Sequence, residues 1–384
     1  MTHHSHALNT ETPASPGLDG IIVATTRLSE VRGKEGHLIL AGRAIEDLAG
    51  FVSFEEGVRH LWKETALPAG PTLFRDLAAA RQAAWTAIPA MAALRSRSPI
   101  LLLQTGLAGI QVPDVLHPAI AMTAAFPVLV AAAARLAEGQ QPIPPDPGLG
   151  SAHDFLRMLD GTTPPMWKVE ALNRYLVTII DHGLNASTFA ARVIASTQAG
   201  FQDAVIGGLA ALKGPLHGGA PGPVLDMLDA IGTSGHPKQW IEAELAAGHR
   251  LMGFGHRIYR ARDPRADVLK EGVRRLPKTE RLALAEVVET AALAALRNRK
   301  PDRPLETNVE FYTAILLDGI GLERTLFTPV FAMGRVAGWC AHAAEQQAEG
   351  KLIRPKSLYA GPSPCGNDRN GTRASGMTGN ESIS

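Results

Sequence analysis

Phe327-Thr-Pro-Val-Phe-Ala-Met-Gly-Arg-Val-Ala-Gly-Trp339 opens an apolar pattern that runs on to Gln347. Val330, Ala337 and Ala341 recur in it at helical spacing, with Met333 between them. That period predicts a helix buried on most of its faces. One charge interrupts it: Arg335, four residues after Phe331. A charge on a mostly apolar face needs a partner. The guanidinium fork suits a carboxylate, held by two parallel hydrogen bonds. An internal Asp or Glu and the carboxylate of a bound ligand are equal readings at this point.

Outward from that segment, most of the chain reads as helix. Alanine, the best helix former, is abundant. Phe201, Val205 and Leu209 keep helical spacing. Asp263-Pro264 is a helix start, since an N-cap side chain precedes the residue that loses nothing at the first helical position. Asn185 is placed to cap the helix carrying Phe189 and Val193. One region differs: Gly20 to Val23 and His37 to Leu40 are partly β-branched and predict a small hairpin. Joints rich in Pro and Gly fall at Gln140 to Gly150, Gly214 to Pro223 and Lys300 to Pro304. No fixed-period repeat is present, which argues against a helical solenoid. The expected class is all-α and globular, with room for two lobes.

The 384 residues carry 38 Lys+Arg against 37 Asp+Glu, a net charge of +1. That balance leaves no basic footprint for nucleic acid or an anionic membrane. Aromatics at 5% argue against a base-stacking surface. Two cysteines, Cys340 and Cys365, make no disulfide scaffold, and a reducing cytoplasm is the expected location. Ala119 to Ala134, mostly alanine and containing Pro127, reads as too short and too weakly apolar to cross a membrane. Residues 1–16, with His3, His4 and His6, read as a polar leader rather than a metal site, and residues 361–384 as a disordered tail. Neither a His-x-x-x-His nor a Cys-x-x-Cys spacing marks a zinc site, so no metal is expected.

Three histidines stand where packing alone would not put them. His217 lies in Leu212-Lys-Gly-Pro-Leu-His-Gly-Gly-Ala220, and His256 in Gly253-Phe-Gly-His-Arg-Ile-Tyr259. His182 lies in Asp181-His-Gly-Leu-Asn-Ala-Ser187. The glycines let backbone approach a ligand and leave N–H groups available. An imidazole there can donate to a carbonyl or pass a proton near neutral pH. Tight turns with exposed histidines explain any one of the three; they do not explain all three alongside Arg257, Arg265, Arg335 and Arg354 at similar breaks. Glu310, in Asn308-Val-Glu-Phe-Tyr312, lies off the apolar stripe of Val309, Tyr312, Thr313 and Leu316. It reads either as an acid at a helix N-terminus or, in a closed pocket, as a general base.

Taken in order, these segments resemble the citrate synthase family. The likeness also includes Asp181 to Arg192, Asp263-Pro-Arg265, Phe327 to Trp339, Ile353-Arg-Pro355 and, earlier, Gly17-Leu-Asp-Gly-Ile and Ser53-Phe-Glu-Glu. It covers roughly residues 17 to 360, and an ordered set of this kind is far more specific than one short motif. The resemblance implies an all-α, two-domain fold: a large helical domain (17–219 and 322–360) and a smaller mobile one (220–321). It implies a homodimer that condenses acetyl-CoA with oxaloacetate and hydrolyses the thioester, as in the tricarboxylic acid cycle, with no cofactor beyond the CoA substrate.

Carried over by position, the resemblance implies that His217 bonds the acetyl thioester oxygen and His256 the ketone of oxaloacetate. His182, Arg265, Arg335 and Arg354 hold oxaloacetate, with Arg354 reaching in from the other subunit. Gly253, Phe254, Gly255, Arg260 and Asn308 line the CoA site. The catalytic base of the family is an aspartate, and here that position is Glu310. One extra methylene moves the carboxylate by on the order of 1 Å, a displacement that costs about a hundredfold when uncompensated. An adjusted synthase, a slow one, and a substrate-binding protein without condensation all fit that change. A 2-methylcitrate synthase using propionyl-CoA is the other enzymatic reading, because one methylene is worth only about 1–3 kcal/mol in an acyl pocket. Pro89-Ala-Met, where the family often has His-Pro-Met, and Gly183, where glutamate is common, are further departures.

Overall fold

The computed structural model describes residues 16–18, 20–94, 97–218, 221–256, 259, 261–301 and 305–357. Arg257, Arg260, most of the leader and the tail lie outside them. The segments up to Ala24 and from Arg354 form one unit, and Thr25–Ile353 the other. In the first unit, Pro16–Leu18 makes a single short turn and Arg354 is exposed.

The larger unit is helical almost throughout. At its centre is the helix Phe327–Glu349, with buried residues on every face. It is clasped by Pro118–Ala137, Ala186–Ser196 and Phe201–Leu212. Trp339 is fully buried, and Gly208 is what admits it: a Cβ there would stand 2.8 Å from the indole. Trp62 is buried too and donates through Nε1 to Ala337 O at 3.0 Å. Each such ring contributes roughly 1.5–3 kcal/mol by burial, and its N–H is satisfied as a buried donor must be.

Pro118–Ala137 corrects the reading of the apolar run. The helix is 20 residues long, continues through Pro127, and is apolar and long enough to span a membrane; 94% of its most apolar stretch is buried inside the protein. A core helix of a globular protein has this composition when neighbours cover every face. Pro118 at the first helical position extends the run beyond the sequence estimate.

The hairpin is also corrected. His37–Leu40 is a strand, but its partner is Ser29–Arg32, paired antiparallel with Ser29 opposite Leu40 and Arg32 opposite His37. Arg43–Ala44 adds a short third strand. Gly20 to Val23 forms no strand, and Ile22 is 91% exposed. Ser29-Glu-Val-Arg32 alternates inward and outward residues, whereas consecutive Ile21 and Ile22 cannot both face one core.

Five later helices, Pro221–Ser234, Pro237–Ala246, Pro264–Arg274, Glu280–Arg299 and Val309–Gly319, pack on one another. The Gln140 to Gly150 joint is tied down by Arg81, fully buried, which pairs with Asp154 at 3.0 Å and donates to Asp146 O at 2.8 Å. Met91, in the departing Pro89 segment, is buried against Gly106 of the helix Pro99–Gly109.

Candidate active site

The local sequence sets each site residue on a capped helix end or a glycine turn. Asn185 Oδ1 accepts from Ser187 N and Thr188 N, both at 3.1 Å, and starts Ala186–Ser196 just after His182. Asp263 Oδ1 accepts from Arg265 N at 3.1 Å and starts Pro264–Arg274. Asn308 Oδ1 accepts from Glu310 N at 3.0 Å and starts Val309–Gly319, while Asn308 Nδ2 donates to Gly255 O at 2.8 Å. Gly253 has φ +85°, and a Cβ on it would meet Phe311 Cβ at 2.8 Å. Only glycine lets the Gly253-Phe-Gly255 loop lie against that helix. Phe254 bridges to Thr307 and stacks on Phe311 at 5.2 Å between centroids.

The imidazoles of His182 and His256 lie 6.0 Å apart, with Tyr259 against both. His182 Nε2 is 3.2 Å from the Tyr259 hydroxyl. Tyr259 N donates to His256 Nδ1 at 3.1 Å, and Arg265 Nη2 lies 3.4 Å from Nε2 on the other side of the ring. His217 Nε2 is 2.9 Å from Ser187 Oγ, which also accepts from Trp339 Nε1 at 3.2 Å. Ser187 Oγ also donates to Asn185 Oδ1 at 2.8 Å, so its contact with His217 Nε2 is compatible with either tautomer of that ring.

Arg265 and Arg335 differ. Arg265 forms a bidentate pair with Asp263, at 3.0 and 2.8 Å. Arg335 is buried, donates through Nε to Ile179 O at 2.7 Å, and lies 4.8 Å over the Phe331 ring. It makes no ion pair among the described residues, so the internal-salt-bridge reading of Arg335 does not hold. Burial lowers its pKa to about 10.

Burial, and after it these charges, sets the neighbouring acids and bases. Burial, then Arg265 and Arg335, hold His182 well below the usual imidazole range. Burial pushes His217 down to about 4, with Arg335 adding, and His256 down to about 4, with Arg265 adding. All three rings are neutral donors at pH 7. Glu310 goes the other way: burial lifts its carboxyl to about 7, against the pull of Arg265. Its Oε2 is enclosed and has no hydrogen-bond partner among the described residues. Glu310 is therefore more than a helix-start acid; it is a carboxyl poised to exchange a proton near neutrality.

Beneath the site, Asp181 accepts from Ser29 Oγ and faces His342 Nε2 at 3.3 Å. Arg192 Nη1 donates to His342 Nδ1 at 3.0 Å, which orients that ring toward Asp181. The turn that presents His182 is fixed by this chain. Gly183 has φ +59° and donates to Ser29 Oγ at 2.9 Å, a backbone shape that a glutamate there would strain.

His182, His217, His256, Arg265, Arg335 and Glu310 thus share one electrostatic neighbourhood. Gly253, Phe254, Gly255 and Asn308 form the adjoining loop. Arg260 lies outside the described residues, and Arg354 belongs to the terminal unit. Sequence reasoning gave no role to Tyr259, which holds His256, and read Asp263 only as a helix cap, without its pairing to Arg265. It also missed Arg250, Arg299 and Lys300, which with Phe254, Gly255 and His256 line a cavity of about 610 Å³. Arg250 lies far from the adjacent Arg299 and Lys300 in sequence, and so the three gave no local signal.

The profile of the family described as "Citrate synthase, C-terminal domain" matches residues 17–356. The chain belongs to the citrate synthase family. Citrate synthase 2 of Bacillus subtilis is 35% identical over 367 residues, 91% of this chain and 96% of that protein. The 2-methylcitrate synthase of Mycobacterium tuberculosis is 35% identical over 359 residues, 90% of each chain. A Mycobacterium bovis relative with a citrate synthase name is 48% identical over 210 residues, and there the chain spans 56% of the relative's length. The citrate synthase structure from Thermotoga maritima superposes with TM-score 0.80 at 32% identity, covering 91% of this chain and 96% of that one. A Thermoplasma acidophilum citrate synthase, solved as a ternary complex with carboxymethyl coenzyme A and oxaloacetate, superposes with TM-score 0.78 at 27% identity, covering 91% and 96%. The fold is the all-α, two-domain fold of citrate synthases.

Arg335→Lys tests the unpaired guanidinium. An ammonium cannot keep the Ile179 carbonyl and grip a carboxylate bidentately. Oxaloacetate affinity measured by calorimetry is expected to fall about ten- to hundredfold, the range for losing a hydrogen bond to a charged group. Unaltered affinity would remove Arg335 from the site.

The site also sets an acid limit on stability. The ordinary imidazole pKa of 6.5 drops to about 4 for His217 and His256 in the folded protein. Between those values the unfolded chain binds more protons, so stability falls as pH drops from 6.5 toward 4. Glu310 opposes this, because its rise from 4.5 to about 7 adds stability as pH falls through that range. Three histidines outweigh one carboxyl. The urea midpoint is expected to decline steadily from pH 7 to pH 4.5; a flat profile would refute the neutral-imidazole assignment.

Proposed function

We propose that the protein condenses acetyl-CoA with oxaloacetate and hydrolyses the citryl thioester to citrate and CoA. The observation that carries this is the meeting of three neutral imidazoles, two guanidinium groups and one carboxyl of raised pKa in a single buried site.

In this reading Glu310 removes a proton from the acetyl methyl, a very weak carbon acid. His217 donates to the thioester oxygen as the enol forms, supplying a preorganised donor where charge develops. His256 bonds the ketone of oxaloacetate and protonates it as the carbon–carbon bond forms. His182, Arg265 and Arg335 hold the dicarboxylate, and Arg354 of a second subunit completes the grip in a homodimer. The cavity beside His256, with Arg250, Arg299 and Lys300, suits the phosphates of CoA. A small domain spanning 220–321 closes over the substrates and keeps water from the thioester until condensation is complete. A cytoplasmic location suits the two cysteines, of which Cys340 is buried and reduced.

Propionyl-CoA is the second reading, favoured by the 35% identity to a 2-methylcitrate synthase over 90% of the chain. CoA release from acetyl- and propionyl-CoA, each with oxaloacetate, separates the two. Oxaloacetate binding without CoA release from either thioester, restored by Glu310→Asp, would instead establish a binding protein.

A further inference from the structure

Arg174 lies away from the catalytic cluster, on the helix Met166–Thr178. It is 5% exposed, yet its guanidinium makes only long contacts to Ala49 O at 3.4 Å and Val268 O at 3.3 Å. It forms no ion pair among the described residues. Two glycines make room for it. A Cβ on Gly50, whose φ is +90°, would collide with its Cζ, and a Cβ on Gly272 would stand 2.7 Å from its Cδ. A buried charge of this kind is costly to keep without a counter-ion. Arg174 lines a cavity of about 350 Å³ together with half-buried Trp167 and the exposed Arg275 and Glu170. Arg275 is itself engaged with Glu271, at 3.4 Å.

We propose that this cavity is a second ligand site, one that takes a small organic monoanion: a carboxylate held by Arg174, with an apolar or aromatic body against Trp167. A guanidinium with no ion pair among the described residues matches one negative charge, and Glu170 in the same lining disfavours a polyanion. The volume is at the low end of small-molecule pockets. The site joins the two helices that carry the catalytic cluster at their far ends: Met166–Thr178 leads to His182, and Pro264–Arg274 begins at Asp263. Its occupancy is independent of the proposed condensation.

Calorimetric titration of the full chain with benzoate tests this, with acetate as the probe lacking the ring. Saturable benzoate binding is expected, stronger than acetate, weakened at least tenfold by Arg174→Met and retained by His256→Ala. No saturable heat, binding unchanged in Arg174→Met, or binding lost in His256→Ala would overturn it. Should Arg174→Met fail to fold, Arg275→Glu places a repelling charge in the lining and is expected to weaken benzoate at least threefold; an unchanged affinity there overturns the proposal equally.

Discussion

Glu310→Gln is expected to lower the rate of CoA release at least about a hundredfold while raising the melting temperature above pH 8. The two effects share one cause. Glu310 Oε2 is enclosed without a partner among the described residues, and burial lifts the carboxyl to about 7. Above that pH the folded protein must hold a desolvated carboxylate, at a cost of roughly 3 kcal/mol for a shift of this size. Glutamine removes that charge and, with it, the base, whose contribution to proton transfer is about 10²–10⁴-fold. At pH 5 the carboxyl is protonated and the amide gains little, so the stability difference should vanish as the pH falls. Parallel thermal melts and thiol-release assays at pH 5 and pH 8 read both. A variant with full turnover would leave the catalysis to another group, and a variant less stable at pH 8 would mean the carboxylate is better solvated than its surroundings imply.

His256→Ala carries the other large effect. His256 is held by Tyr259 N at Nδ1, 3.1 Å, and by Arg265 Nη2 at Nε2, 3.4 Å, which together fix the ring. Alanine removes the donor without touching the helices on either side. Condensation is expected to fall by about 10³-fold, within the range for a positioned acid, with circular dichroism and urea midpoint near those of the parent. Gain of stability at pH 5 is part of the same expectation, since one buried neutral imidazole no longer needs to charge on unfolding. Retained turnover with folding intact would show that the ketone is polarised by Arg265 alone.

Much of this site was legible in the sequence because helix starts are written locally. Asp263-Pro264, Asn185 and Asn308 each signal a cap within three residues, and each cap lies next to a chemical group. The partner of a strand is not written locally, which is why His37–Leu40 was found and its pairing with Ser29–Arg32 was not. Arg335 was ambiguous for the same reason: only the fold decides whether a carboxylate lies within reach. The state of Glu310 was equally hidden, since its enclosure comes from neighbours far along the chain, and the Arg81–Asp154 pair beneath the Gln140 to Gly150 joint gave no signal at all.

Gly334 and Gly338 sit one turn apart on the central helix and face the backbone before His182. A methyl on the first would stand 2.7 Å from Ile179 Cδ1, and on the second 2.9 Å from Asp181 Oδ1. Neither carries a functional group, yet they set the gap between Arg335 and the turn that presents His182. A growth-scored saturation library of this gene should therefore report two intolerant positions that no chemist would choose, ranked beside the histidines. Their intolerance would record a distance between two pieces of main chain, and reading it as catalysis would misassign the reaction.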